Sequence, residues 1–183
     1  MSNYFVYRFF ILAILFILTI STQAQQVEQK TYMQTHTTSD NYLYLTYTRG
    51  GKLERSIYYH LYQGQPVFAR LEKGMLVGET IDTNQKLLTY IKDNLQLLKY
   101  ASTRQHNTEK ERQKFLADYQ DSTIQLMQLS IKTGGLHYNH FQSRSPEQIA
   151  ATKQQKLRNA YHIINSIVEQ METAATKGIF TKR

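Results

Sequence analysis

At 183 residues the chain is long enough for one ordinary domain and too short for two. It has no Cys and no Trp, but 14 Tyr, and its 22 Lys+Arg against 14 Asp+Glu give a net charge of +8. The lack of Cys excludes disulfides, thiolate metal centres, thiol nucleophiles and lipid attachment at a cysteine, and an apolar content of 41% argues against wholesale disorder.

The first 24 residues differ from the rest. Arg8 is their only charge, Phe9 to Leu18 is an unbroken apolar run, and Ser21-Thr22-Gln23-Ala24 supplies small residues before Gln25. This is the order of a secretory signal peptide, with cleavage expected after Ala24. The uncharged stretch from Phe9 to Ile20 is 12 residues, well short of the ~20 that a bilayer span needs. A retained anchor and a buried core helix are the competing readings. In composition, including the Ala-Gln junction, the leader resembles signal peptides of Gram-negative bacteria. That resemblance implies a periplasmic or extracellular mature chain of 159 residues, away from pools of ATP and nicotinamide cofactors, and no cofactor is expected. Membrane contact is expected only through the leader before cleavage. Residues 25–41 are polar and read as a flexible segment, with a first strand conceivable near Lys30 to Thr37.

From Tyr42 to Thr48 the pattern alternates and is dense in β-favouring residues. Arg49-Gly50-Gly51-Lys52 is a turn, where glycine takes positive φ without steric cost. Leu53 to Tyr62, Val67 to Glu72 and Met75 to Thr80 follow as strands separated by Gly-containing turns. Four short strands on tight turns predict an antiparallel meander. Residues 58–68 (YYHLYQGQPVF) resemble the aromatic hairpins common in exported bacterial proteins, a likeness that implies no activity.

Beyond Asn84 the period becomes 3.6. Leu87, Leu88, Ile91, Leu95 and Leu98 share one face and predict a first helix. Thr108 and Glu111 have capping-box spacing, and Phe115, Leu116, Tyr119, Ile124, Met127 and Ile131 predict a second helix running to Ile131 and ended by Gly134-Gly135. Residues 136–144 read as a loop. Ser145-Pro146-Glu147-Gln148 is a helix start, opening a third helix to about Thr173 along Leu157, Ala160, Tyr161, Ile164, Ile167, Val168 and Met171. Neither half buries a core alone, so the expectation is an α+β domain over residues 42–178, the meander packed with three amphipathic helices, and a tail at 179–183.

The charge is uneven. Residues 25–83 hold six basic and six acidic side chains; residues 84–183 hold 15 basic and eight acidic. Between 132 and 158, Lys132, Arg144, Lys153, Lys156 and Arg158 face only Glu147, with His137, Tyr138 and His140 beside them. These residues are candidates for holding an anionic partner: an acidic glycan, an anionic lipid or an envelope protein. A solvated, solubilising face is the simpler account. Specific nucleic-acid binding is not expected, since no recognised module occurs and the tyrosines concentrate in the neutral half. Tyr42 and Tyr44 share the strand face opposite Leu43 and Leu45, and form either a second packed layer or an aromatic binding surface.

Catalytic signals are weak. Ser39-Asp40-Asn41 and Lys132-Thr133-Gly134 match two signatures of serine penicilloyl-type enzymes, but no Ser has a Lys three places on, so the nucleophile is missing. His137 and His140 lack a nearby third metal ligand: no Asp, Glu or Cys lies between Asp121 and Glu147. Asp118 and Asp121 imitate a glycosidase pair, without the contrast in environment that acid and base roles require. The sequence therefore favours a non-enzymatic envelope binding or accessory module over an envelope hydrolase acting on glycan or peptide.

Overall fold

The computed structural model describes residues 42–62, 64–104, 109–133, 136–142 and 144–177. The leader, the segment 25–41 and the tail lie outside the described residues.

The chain is α+β. Strands β1 (Tyr42–Arg49), β2 (Lys52–Tyr62), β3 (Gln65–Glu72) and β4 (Met75–Ile81) form the expected meander. Gly50 and Gly51 take φ of 55° and 72° at the β1–β2 turn, which confines that turn to residues without a Cβ penalty. Two further strands, β5 (Gln125–Thr133) and β6 (Leu136–Gln142), extend the sheet on its other side. The order is β4-β3-β2-β1-β5-β6, with every neighbouring pair antiparallel. β1, the first described strand, is therefore central.

β5 and β6 correct two expectations. The second helix, α3 (Glu109–Gln120), stops eleven residues before Ile131. Its stop is local: Asp121 Oδ1 accepts hydrogen bonds from the Thr123 amide and hydroxyl, both at 2.7 Å, a side-chain turn that competes with further helix. Beyond it, Met127, Leu129 and Ile131 alternate with Gln128, Ser130 and Lys132. Met127 and Ile131 are four apart, a spacing that satisfies a helix and a strand equally, and pairing with β1 selects the strand. β6, expected as loop, pairs with β5 so that Phe141 faces Leu129.

The first helix is two helices, α1 (Lys86–Asp93) and α2 (Leu95–Ser102). Asn94 breaks them: its side-chain amide donates to the Tyr90 carbonyl at 2.8 Å while its backbone leaves helical values. The third is also two, α4 (Pro146–Ala150) and α5 (Gln155–Lys177). α4 opens as its sequence predicts, with the Ser145 hydroxyl accepting from the Gln148 amide and the Gln148 side chain accepting from the Ser145 amide. Thr152 caps the Gln148 carbonyl through its hydroxyl, and α5 starts afresh after it.

The main core lies between one sheet face and the helices. Leu43, Leu45, Ile57, Tyr59, Phe68, Leu129, Ile131 and Phe141 meet Leu87, Ile91, Leu98, Ile164, Ile167 and Met171, all of them buried. Fully burying one such side chain contributes roughly 1.5–3 kcal/mol. A smaller cluster of Tyr58, Ala69 and Leu71, with Tyr44 packed against it, occupies the opposite face. α5 is fixed at its C-terminal end by ionic contacts: Glu172 accepts from Tyr47 and, at 2.9 Å, from Arg55, whose guanidinium lies 4.2 Å from the Tyr47 ring centroid. Among the described residues no helix is long and apolar enough to cross a membrane.

Candidate anion-binding surface

The basic window is split by the fold. Lys132 lies on β5 opposite Tyr42 and stands 5.8 Å from its ring, on the sheet face away from the helices. Arg144, Lys153, Lys156 and Arg158 belong to the helical layer, around α4 and the start of α5.

The helical group is organised by a residue that sequence reasoning missed. Tyr100, near the end of α2, has the Lys156 ammonium 4.5 Å from its ring centroid and the Arg104 guanidinium 5.7 Å away. Its hydroxyl donates to Gln154 Oε1 at 2.7 Å, tying α2 to the segment that enters α5. The ring attracts both cations through its quadrupole, without neutralising either. Lys153, Lys156 and Arg104 are exposed; Arg158 is half-buried. The first turn of α5 carries no acidic residue, whereas α3 has Glu109 and Glu111 there and α4 has Glu147. The positive end of the α5 dipole thus adds to the side-chain charge.

Among the described residues none of these cations takes part in a salt bridge. The four salt bridges among the described residues are Arg49–Glu54, Arg55–Glu172, Arg70–Glu72 and Arg112–Glu109. Arg144 stacks on Tyr161 at 4.6 Å, and its carbonyl accepts from Asn165 at 3.0 Å. The Nε donors of Arg144 and Arg158 are buried and find no acceptor among the described residues. A buried donor left unmatched costs about 1–3 kcal/mol.

The remaining candidates are placed elsewhere. His137, Tyr138 and His140 fall on β6, where His140 is in register with Ser130; their side chains lie outside the described residues. Tyr42 is buried, and Tyr44 is half-buried and stacked on Tyr58 with centroids 5.5 Å apart. Asp121 lies past the end of α3 and is engaged in the turn that stops it, so it shares no helix face with Asp118. Its hydrogen bonds from Thr123 hold its carboxyl below the usual carboxylate range.

A cleft of about 480 Å³ opens between the end of β4, α1 and α5, lined by Phe68, Asp82, Lys86, Glu169 and Thr173 among others. Asp82 accepts from the buried Tyr59 hydroxyl at 2.9 Å. Burial, then the charge of Asp82, push the Tyr59 phenol well above its ordinary range. Among the described residues no histidine lines this cleft. Among the described residues, no three His, Asp or Glu side chains converge as a metal site would require.

No protein-family profile, no curated protein and no solved structure matches this chain.

Proposed function

We propose that this protein is an exported, non-enzymatic binding module that holds an anionic partner at the junction of α2 with α5. The observation that carries this reading is the Tyr100 cluster: Arg104 and Lys156 held near one ring, with Lys153 and Arg158 adjacent in sequence, and none of the four in a salt bridge among the described residues. The ring stabilises each cation modestly and leaves its charge available. Cations that receive phosphate or carboxylate gain by being positioned before the ligand arrives. In the envelope, the matching chemistry is an acidic glycan or the phosphate-bearing surface of anionic lipid.

The test is binding of the purified protein to polygalacturonate and to vesicles with and without anionic lipid, at low and high salt. The dissociation constant is expected to rise at least tenfold between 50 and 300 mM salt. Lys153→Glu with Lys156→Glu is expected to remove binding while leaving the melting temperature within a few degrees. Binding that ignores both salt and the double variant contradicts the proposal.

A second reading, hydrolysis of envelope glycan or peptide, draws on the cleft that brings Asp82 and Glu169 onto one lining. Release of reducing ends or new amino termini from envelope polymer, abolished by Asp82→Asn, would favour it over the binding module.

A further inference from the structure

The cleft between β4, α1 and α5 is lined by charges of both signs, and among the described residues none of them is in a salt bridge. Asp82 follows β4, Lys86 opens α1, and Glu169 and Gln170 stand on α5. Phe68 and Leu87, both buried, supply apolar lining. The volume of about 480 Å³ lies within the ~300–1,000 Å³ usual for small-molecule sites.

Asp82 is fixed at three points. Its amide donates to the Pro66 carbonyl at 2.8 Å, its carbonyl accepts from the Gln85 amide at 3.2 Å, and its Oδ2 accepts from the Tyr59 hydroxyl at 2.9 Å. Among the described residues no hydrogen bond reaches its Oδ1, and none engages the side chains of Lys86, Glu169 or Gln170.

We infer that this cleft binds the zwitterion of an apolar α-amino acid or of a short peptide, with the ligand's ammonium group on Asp82 and Glu169 and its carboxylate on Lys86. The charges select this class. A simple anion would meet two carboxylates, and a simple cation would meet Lys86. A metal ion would want a third ligand, and among the described residues no three His, Asp or Glu side chains gather. A neutral sugar packs its ring on an open aromatic face, whereas Phe68 is 6% exposed and tilted against the Tyr59 ring, with centroids 4.6 Å apart. A ligand with one charge of each sign satisfies all three side chains through charge-assisted hydrogen bonds. Asp82, already held, loses little freedom in receiving it. The apolar lining favours an apolar side chain. The inference stands apart from the Tyr100 surface and requires no bond to break in the cleft.

Calorimetric titration of the full purified chain with L-leucine and with L-alanyl-L-leucine tests this. At least one is expected to bind with a dissociation constant below about 1 mM, and the tighter of the two tells a free amino acid from a peptide. The N-acetyl and C-terminal amide forms of that binder, each lacking one charge, are expected to bind at least tenfold more weakly. Glu169→Gln and Lys86→Met are each expected to weaken binding about fivefold or more; both side chains are exposed, so the fold should persist, as circular dichroism will report. Chromatography after titration is expected to recover the ligand intact. Failure of both probes to bind, equal binding of the blocked forms, indifference to both variants, or cleavage of the dipeptide would each overturn the inference, the last in favour of the hydrolytic reading.

Discussion

α5 and α3 are both charged, largely polar helices, yet one is built into the molecule and the other is hung from it. α5 runs 23 residues and buries Ala160, Tyr161, Ile164, Ile167, Val168 and Met171 along one stripe. Its far end is clasped by Arg55, Tyr47 and Arg70, the last reaching the Ala175 carbonyl at 3.4 Å. α3 runs 12 residues and buries none. It is held at its C-terminal end, where the Gly50 and Gly51 amides donate to the Asp121 and Tyr119 carbonyls at 3.2 and 2.7 Å. Apolar periodicity, not helical length or charge, decides which helix carries the fold.

Cutting into the α5 stripe should have the largest effect. Ile164→Ala and Ile167→Ala each leave a cavity at a buried site, and about 2–5 kcal/mol of stability should be lost in urea unfolding. The polar clasp is expected to matter less. Glu172→Gln weakens the Arg55 pair and the Tyr47 hydrogen bond, and should cost about 1–3 kcal/mol, with Tyr47→Phe costing part of that.

The same clasp predicts a pH effect. Burial first, then the hydrogen bond and charge of Glu172, raise the Tyr47 phenol well above its ordinary value of 10.0, and Tyr59 is raised in the same direction. The folded state therefore keeps protons that the unfolded chain gives up. This contribution is whole below pH 10 and is lost as pH climbs past it. Tyr47→Phe should flatten the alkaline arm of a stability-against-pH curve while leaving the neutral region parallel.

Where α3 is hung, Gly50→Ala should cost about 1–2 kcal/mol. It forces a Cβ into a positive-φ position 3.3 Å from Ser122. Amide exchange along α3 should speed up more than along α5. The smallest effect should come from α3 itself: Leu116→Ala, at an exposed site, should stay within about 0.5 kcal/mol of the parent. A large loss there would mean that α3 rests on more than its final turn.

The meander was legible because its signals agree: alternation in β1, and glycines at 50, 51, 64 and 74, every one at positive φ. β5 and β6 were not, for different reasons. In β5, Met127 and Ile131 fit two periods at once, and the arbiter is pairing with a strand some 80 residues earlier. β6, with His137, Asn139 and His140 among seven residues, carries little β-favouring pattern and is held by its neighbour. The helix breaks at Asn94 and Thr152 depend on side chains bonding to nearby carbonyls, which competes weakly with helix and leaves little trace in an apolar count. Of the candidate surface, the cations of α5 could be read directly. Tyr100 and Arg104 sit four apart on a helical turn, a spacing open to recognition, but their meeting with Lys156 depends on how α2 packs against α5.

The position of β1 has a consequence for how the protein is made. Its partners on one side lie within a short turn, but on the other they lie 76 to 90 residues downstream. A chain emerging amino end first can form the meander early, yet β1 keeps one bare flank until Thr133 has been synthesised. Long-range closure of this kind is slow relative to local pairing. Among the described residues, a meander formed that early would have an unpaired flank on β1 as well as on β4 until the second half of the chain arrives.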